Sequence, residues 1–151
     1  MVQKKDSHAG VVASNRRARY DYDVVDTIET GLVLKGSEVK SLRAGKASVT
    51  EAYAVVEEGE LFVYNLHIPP YENNSLEALN PVRRRKLLAS RTEIGRLARA
   101  VEVKGMTLVP LRLYFKNGYA KLELGLARGK RQYDKRETIK KRDEARTQGQ
   151  D

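Results

Sequence analysis

Basic side chains are the residues of this sequence best suited to chemistry with a partner, and they occur in groups. The chain has 29 Lys and Arg residues against 20 Asp and Glu, for a formal net charge of +9. Guanidinium and ammonium groups neutralise phosphates and release their counterions, so this balance predicts binding to a polyanion. The basic groups lie at Arg16, Arg17 and Arg19, at Lys40, Arg43 and Lys46, at Arg83–Lys86, and from Arg128 onward.

Tyrosines accompany these basic groups. Tyr20, Tyr22, Tyr71 and Tyr133 lie close to them in the sequence, and an aromatic ring can stack on an unpaired base. Any single basic run is better explained by a solvated surface, but four runs together with a basic tail favour a nucleic acid. Charge and spacing alone leave RNA and DNA both open.

Four carboxylates form the only dense acidic cluster and raise the alternative of a metal-dependent nuclease. They are Asp21, Asp23, Asp26 and Glu29, and such a set can hold divalent ions. On a strand, however, Asp21 and Asp23 share one face while Asp26 points to the other. The pattern therefore favours a solvated strand face over a metal site.

Other catalytic groups are scarce. The sequence has no cysteine and only two histidines, His8 and His67, and neither a nucleophile elbow nor a phosphate-binding loop is recognisable. We therefore expect a protein that is not an enzyme and that uses no cofactor, no metal and no small-molecule substrate. Its apolar runs are too short to span a bilayer and no signal peptide is evident, so we expect no membrane partner and a cytoplasmic location.

The strand pattern predicts an antiparallel barrel. Tyr20–Leu34 is rich in β-branched and aromatic residues, with a turn or bulge expected at Glu29–Gly31. Val49–Ile68 is interpreted as a hairpin around Glu57–Glu60, and Leu108–Phe115 with Tyr119–Ala127 as a hairpin turned at Asn117-Gly118. Because apolar residues alternate with polar ones, each strand should bury one face. We predict a mainly β protein with flanking helices, built as a small antiparallel barrel of the oligonucleotide-binding type.

Two helices are predicted. Gly36–Gly45 has Ser37 as its expected N-cap and Glu38 in its first turn; Val39 and Leu42 should face the core, and Lys40 and Arg43 the solvent. The second begins at Ser90, which forms a capping box with Glu93, and ends at Gly105.

Composition divides the chain into three parts. Residues 1–13 are predicted to be a flexible N-terminal arm, 14–128 the barrel, and 129–151 a basic tail. Beyond Tyr133 the tail has almost no apolar face, although Glu137–Lys141 and Lys140–Glu144 are favourable helical pairs. We expect it to be disordered alone and helical against a polyanionic partner.

Five blocks, in order, resemble one family over about residues 14–146. The similarity is to the SsrA-binding proteins (small protein B), which bind transfer-messenger RNA. The blocks are Asn15–Tyr22, Gly36–Lys46, Pro81–Leu88, Gly105–Leu111 and Gly129–Arg136. This resemblance implies an oligonucleotide-binding-type barrel that binds the tRNA-like domain of transfer-messenger RNA and delivers it to stalled ribosomes for trans-translation. A ribosome-associated or translation-factor-like binding module using the same barrel remains the alternative.

The resemblance also assigns roles to residues. It implies RNA contacts at Asn15, Arg16, Glu29 and Leu88, with Lys40 and Arg43 as supporting residues. It further implies a tail that enters the decoding site and the empty messenger channel of the ribosome. With the basic groups added, the predicted RNA-binding residues are Asn15, Arg16, Arg17, Arg19, Glu29, Lys40, Arg43, Lys46, Arg83, Arg85, Lys86 and Leu88. The predicted tail residues are Gly129, Lys130, Arg131, Tyr133, Asp134, Lys135 and Arg136.

Overall fold

A ring of antiparallel strands forms the centre of the fold in the computed structural model, which describes residues 10–71 and 79–129. In chain order the elements are β1 Val11–Ser14, α1 Ala18–Asp21, β2 Tyr22–Leu32, α2 Gly36–Arg43, β3 Tyr53–Glu57, β4 Glu60–Tyr64, β5 Arg85–Leu88, α3 Arg91–Lys104, β6 Thr107–Lys116 and β7 Tyr119–Gly129.

The ring closes because β6 pairs on both of its edges. The strands follow one another as β6, β3, β4, β5, β2 and β7, and β7 pairs again with β6. β1 lies outside the ring and extends the sheet from β6. The β3–β6 junction is narrow, with the single pair Ala54–Leu108. The prediction of a mainly β, antiparallel barrel with flanking helices is confirmed.

Alternating side chains fill the barrel, as period-two patterning requires. Leu113, Leu122 and Leu124 are fully buried in the main core. Leu111 is displaced by a register shift between Pro110 and Arg112 and packs in a second, smaller cluster. The bulge therefore lets one long strand serve two cores.

Both predicted hairpin turns are confirmed. Glu58 and Gly59 have φ of 51° and 78°, and Asn117 and Gly118 have φ of 54° and 82°. Two consecutive positive φ values define the turn that matches the twist of paired strands.

The predicted interruption at Glu29–Gly31 is wrong, because β2 is continuous from Tyr22 to Leu32. β7 pairs with β2 along its length, and β5 pairs with its end through Gly31–Leu88. A Cβ atom on Gly31 would lie 3.4 Å from the Leu88 Cβ atom, so glycine here permits close strand packing.

The boundaries of the barrel are wider than predicted at both ends. Val11, Val12 and Ala13 belong to β1, where backbone pairing with β6 orders them, so they are not part of a flexible arm. Gly129 is the last residue of β7 and pairs with Tyr22. The rest of the predicted arm and tail lies outside the described residues.

The helix predictions are largely confirmed. α3 has the expected capping box between Ser90 and Glu93, and Gly105 has φ of 66°. The predicted N-cap of α2 is wrong: the cap is Lys35, whose N–H donates to the Glu38 carboxylate at 2.9 Å, and Ser37 is buried inside the helix. Neither α3 nor any other helix of the described ranges is long and apolar enough to cross a membrane.

Candidate nucleic-acid interface

The strand register brings separate polar residues into one row across the outside of the barrel. Ser14 pairs with Arg112, Arg112 with Glu123, and Glu123 with Glu29. The Arg112 Nε atom donates to the Glu123 carboxylate at 3.0 Å, which links the middle of the row. The row therefore runs from β1 to β2 over four strands.

A second row lies next to the first. Tyr114 pairs with Lys121, Lys121 with Gly31, and Gly31 with Leu88. Leu88 is 54% exposed, a large fraction for a leucine beside charged groups. We call the outer surface formed by the two rows the candidate RNA face. It brings together Glu29 and Leu88, two residues 59 positions apart in the sequence.

Glu29 is held in place on this face by two neighbours. The Tyr114 hydroxyl donates to its carboxylate, and the Lys116 Nζ atom lies 3.5 Å from its Oε1 atom. The Tyr114 hydrogen bond is the main cause that lowers the pKa of Glu29 from its ordinary value; Lys116 and Lys121 add to the effect. Glu29 is thus a fixed, ionised hydrogen-bond acceptor on a basic surface.

Asn15 lies at the β1 end of the face. Its Nδ2 atom donates to the Pro110 carbonyl at 3.1 Å, and its backbone N–H donates to the Leu111 carbonyl at 2.8 Å. These bonds hold the side chain of Asn15 in one orientation. Ser14, the residue before Asn15, and Glu29 are at opposite ends of the first row.

The arginines of the first basic group surround α1. Arg16, Arg17 and Arg19 are all exposed, and the Arg17 Nε atom lies 3.8 Å from the Asp21 carboxylate. Arg16 and Arg17 link Asn15 to α1, so these charges lie close to the β1 end of the candidate RNA face.

The basic face of α2 is exposed as predicted. Lys40 lies over the Tyr71 ring at 5.8 Å, and the Arg43 guanidinium lies over the Phe115 ring at 4.6 Å. Phe115 and Lys116 are the last two residues of β6, and Lys116 is the residue that forms an ion pair with Glu29. Arg43 therefore lies at the same end of β6 as Lys116. Lys46 is exposed shortly after the helix.

The basic cluster Arg83–Lys86, which runs into β5, is divided between the inside and the outside of the protein. Arg85 is fully buried, so the prediction that it contacts RNA directly is wrong. Arg83 is half-buried and forms a bidentate ion pair with Glu38, at 2.7 and 2.8 Å. Lys86 stays exposed, with its Nζ atom 3.6 Å from Glu60. Side chains of an extended segment alternate between inside and outside, which the sequence run does not reveal.

The acidic cluster does not converge. Asp26 accepts a hydrogen bond from Arg96 at 2.6 Å, and Glu29 is bound to Tyr114 and Lys116. Across residues 10–71 and 79–129, no three His, Asp or Glu side chains are grouped so as to hold a metal ion. Within these described ranges, the acidic cluster therefore offers no metal site for the nuclease alternative.

The predicted RNA-binding residues did not include four polar residues of the β6–β7 hairpin, namely Arg112, Tyr114, Lys116 and Lys121. The available signal was their alternation with the buried leucines. Only the pairing of β7 with β2 shows that they neighbour Glu29. Of the predicted tail residues Gly129 is described; Lys130–Arg136 lie beyond the described part.

A closed antiparallel barrel with a basic, partly apolar outer face defines a class of small barrel proteins that bind nucleic acids. Comparison with protein families narrows this class: the family profile described as SmpB protein matches residues 12–151. The chain therefore belongs to the SmpB family.

Similar proteins cover most of the chain. A protein of Acetivibrio thermocellus named SsrA-binding protein is 57% identical over 90% of this chain and 88% of its own. One of the same name from Chloroflexus aurantiacus is 54% identical over 97% and 92%. A solved structure described as "tmRNA-SmpB: a journey to the center of the bacterial ribosome" is 56% identical, covers 78% of this chain and 82% of its own, and superposes with a TM-score of 0.66.

Proposed function

We propose that the chain binds transfer-messenger RNA (SsrA RNA) at its tRNA-like domain and delivers it to stalled ribosomes for trans-translation. Family membership and relatives named for SsrA binding support this function. The structural observation that carries it is the candidate RNA face, where strand pairing places Glu29 and Leu88 in neighbouring rows.

The face combines affinity with selectivity. Arg112, Lys116 and Lys121 supply charge for phosphates, a term that is independent of sequence. The Glu29 carboxylate can accept hydrogen bonds from a ribose hydroxyl or a base amino group, and Leu88 can pack against an unstacked base or a sugar. The Glu29 carboxylate repels phosphates. It therefore favours an RNA that places a hydrogen-bond donor, and not a phosphate, next to Glu29.

The protein acts as an adaptor in the cytoplasm, where ribosomes stall, and it catalyses no reaction. The charged groups on the candidate RNA face suit binding to a polyanion. The family comparison supports an RNA-binding role.

The segment after Gly129 supplies the second contact. It leaves the barrel from the end of β7, carries Lys130, Arg131, Tyr133 and Arg136, and occupies the decoding site and the empty messenger channel as a helix. The tail's charge and the absence of an apolar face support this role.

A binding titration at fixed salt tests the function. Transfer-messenger RNA should bind about a hundredfold more tightly than a random RNA of equal length, equivalent to about 2.7 kcal/mol, and ordinary tRNA should bind less tightly than transfer-messenger RNA. Equal binding to all three with only a steep salt slope would reduce the protein to a general basic RNA-binding module.

Single substitutions test the face. Glu29→Ala and Leu88→Ala should each weaken binding to transfer-messenger RNA about tenfold, while the control Glu102→Ala, an exposed carboxylate on α3 outside the face, should not weaken it. Unchanged affinity in the first two variants would contradict this assignment.

Truncation after Gly129 should preserve RNA affinity but abolish peptide tagging on stalled ribosomes, and loss of RNA binding would show that the tail is misassigned.

A further inference from the structure

An ion-pair cluster of Glu38, Arg83 and Arg85 lies inside the protein, away from the candidate RNA face. The side chain of Glu38 is 3% exposed and that of Arg85 is 0% exposed. The Arg85 Nε and Nη2 atoms lie 2.9 and 2.8 Å from the Glu38 Oε2 atom. Arg83 binds both carboxylate oxygens of Glu38 from the other side.

Each nitrogen of the Arg85 guanidinium donates a hydrogen bond. The Nε atom donates to Glu38, the Nη1 atom to the carbonyl oxygens of Leu66 at 2.6 Å and Arg83 at 3.3 Å, and the Nη2 atom to that of Pro81 at 3.0 Å. Leu66 precedes the segment 69–81 and Pro81 ends it, so one guanidinium joins both ends of the connection between β4 and β5.

Helix α2 is fixed to the same point. Glu38 belongs to α2, and its carboxylate also accepts from the Lys35 N–H at the start of the helix. The Ser41 hydroxyl, one turn later, donates to the Pro69 carbonyl at 2.6 Å. Burial alone would raise the pKa of Glu38, but the Arg83 and Lys35 hydrogen bonds and the Arg85 charge outweigh it and lower the pKa.

Stability alone is a poor reason for such a cluster. Apolar side chains of similar volume often stabilise a core as well as or better than a buried ion pair, whereas ion pairs fix one geometry through directional bonds. What this cluster fixes is the position of α2 relative to β5. The outer side of α2 carries Lys40 and Arg43, and β5 carries Leu88 on the candidate RNA face.

We infer that Glu38 is a positioning residue for RNA binding: through Arg83 and Arg85 it fixes the basic face of α2 relative to Leu88, so that both meet one RNA. The inference rests on the proposed function. Glu38 itself, buried among the arginines, does not touch the RNA.

The sign of a charge change tests this role. Glu38→Gln removes one negative charge, and electrostatics alone would then tighten binding to a polyanion. Positioning predicts the opposite: affinity for transfer-messenger RNA falls about fivefold, at a temperature where circular dichroism shows the variant fully folded. The matched control is Glu57→Gln, the same change at an exposed carboxylate paired with Arg84, and it should bind as tightly as the wild type or more tightly.

A Glu38→Gln variant that binds as tightly as Glu57→Gln would overturn the inference. If Glu38→Gln does not fold, Glu38→Asp keeps the charge and shortens the side chain, and it should also bind more weakly than Glu57→Asp; equal affinities overturn the inference in the same way. A wild-type protein without preference for transfer-messenger RNA would instead contradict the proposed function, so the two failures are distinguishable.

A double-mutant cycle separates positioning from general destabilisation. Arg43→Ala should weaken binding about fivefold in the wild type and less than about twofold in Glu38→Gln, because the guanidinium is then no longer held at the RNA. If Glu38 only stabilised the fold, Arg43→Ala would reduce the RNA affinity by the same factor in the wild type and in Glu38→Gln. That result would overturn the inference.

Discussion

Arg84 and Arg85 are neighbours in the sequence but occupy opposite environments. The Arg84 guanidinium lies in the open over the Phe62 ring at 4.1 Å, whereas Arg85 is fully buried against Glu38. Burial lowers the pKa of Arg85, and the nearby Glu38 carboxylate offsets part of this decrease. Hydrogen bonds to Tyr64 and Glu57 raise the pKa of Arg84. At the residue scale, the function of a charge is therefore decided by the face on which it lies.

Tyr114 should control the ionisation of Glu29. Tyr114→Phe removes the hydrogen bond that is the main cause of the lowered Glu29 pKa, so an NMR titration should show that pKa rising toward its ordinary value. A carboxyl with a lowered folded pKa stabilises the fold above about pH 4.3 and loses that contribution as the pH falls through the folded pKa. The variant should therefore lose less stability on acidification than the wild type.

Tyr119→Phe is the matched control, because Tyr119 is 71% exposed and its hydroxyl makes no hydrogen bond to the described residues. An unchanged Glu29 pKa in Tyr114→Phe would contradict the assigned hydrogen bond.

Gly125 should tolerate no side chain without loss of stability. A Cβ atom there would lie 3.1 Å from the Leu111 Cδ1 atom and 3.2 Å from the Val24 Cγ1 atom, inside a buried cluster. We expect Gly125→Ala to lower the free energy of unfolding by about 1 kcal/mol in urea titrations. Gly36→Ala, where a Cβ atom meets nothing within 4 Å, should unfold like the wild type; equal midpoints for both variants would show that the cluster repacks freely.

At the element scale, α3 shows how local signals and tertiary packing share control. The capping box at Ser90 and the left-handed Gly105 set its ends, and both signals are local. The apolar side of the helix is only partly buried. Leu97 and Ala100 are buried, whereas Val101 is 37% exposed and lines a cavity of about 390 Å³ at the β3–β6 junction. The helix therefore depends on its own propensity for part of its stability.

Two glycines of this element should respond in opposite directions to alanine. Gly95 lies within α3 with open space around it, so Gly95→Ala should raise the free energy of unfolding by about 0.5 to 1 kcal/mol, or the Tm by about 1 to 4 °C. Gly105→Ala should lower the free energy of unfolding by about 1 kcal/mol, because its φ of 66° is unfavourable for a side chain. Differential scanning calorimetry measures both, and the same sign for the two variants would contradict the cap geometry.

At the scale of the whole molecule, barrel closure is uneven. β7 is paired along its length with β2 on one side and β6 on the other, whereas β3 meets β6 through one residue pair. The candidate RNA face lies on the well-paired side. Residues of the candidate RNA face come from five strands, and the distances between them must be kept when RNA binds. Extensive strand pairing on this side of the barrel keeps those distances fixed.

Hydrogen exchange should detect this difference. Amides of β7 should exchange only through global unfolding, whereas amides on the free edge of β3 should exchange through local opening at rates at least about tenfold faster. Native-state exchange followed by NMR measures both strands in one sample. Uniform protection around the ring would contradict a weak junction at Ala54–Leu108.

Sequence patterns predicted the elements better than they predicted the site. The Asn-Gly turn, the Ser90 capping box and the alternation of β6 and β7 are local rules, and each gave the observed element. The predicted break at Glu29–Gly31 failed because β7 and β5 supply backbone partners that no local pattern contains. The assignment of Arg85 failed for a related reason, since its partner Glu38 is 47 residues away.

The sequence by itself determined the fold class, the basic character and the family, because turns, alternation and charge are properties of short segments and of the whole composition. Only the tertiary structure decided which polar residues form one surface and which arginines are withdrawn from it. Strand register places Glu29 beside Leu88 and Lys121, and burial turns Arg85 from a candidate RNA contact into an internal support. Strand register and the burial of Arg85 both depend on contacts between segments that are distant in the sequence. The free energy of burial and hydrogen bonding in such contacts is gained only after the intervening loop has closed.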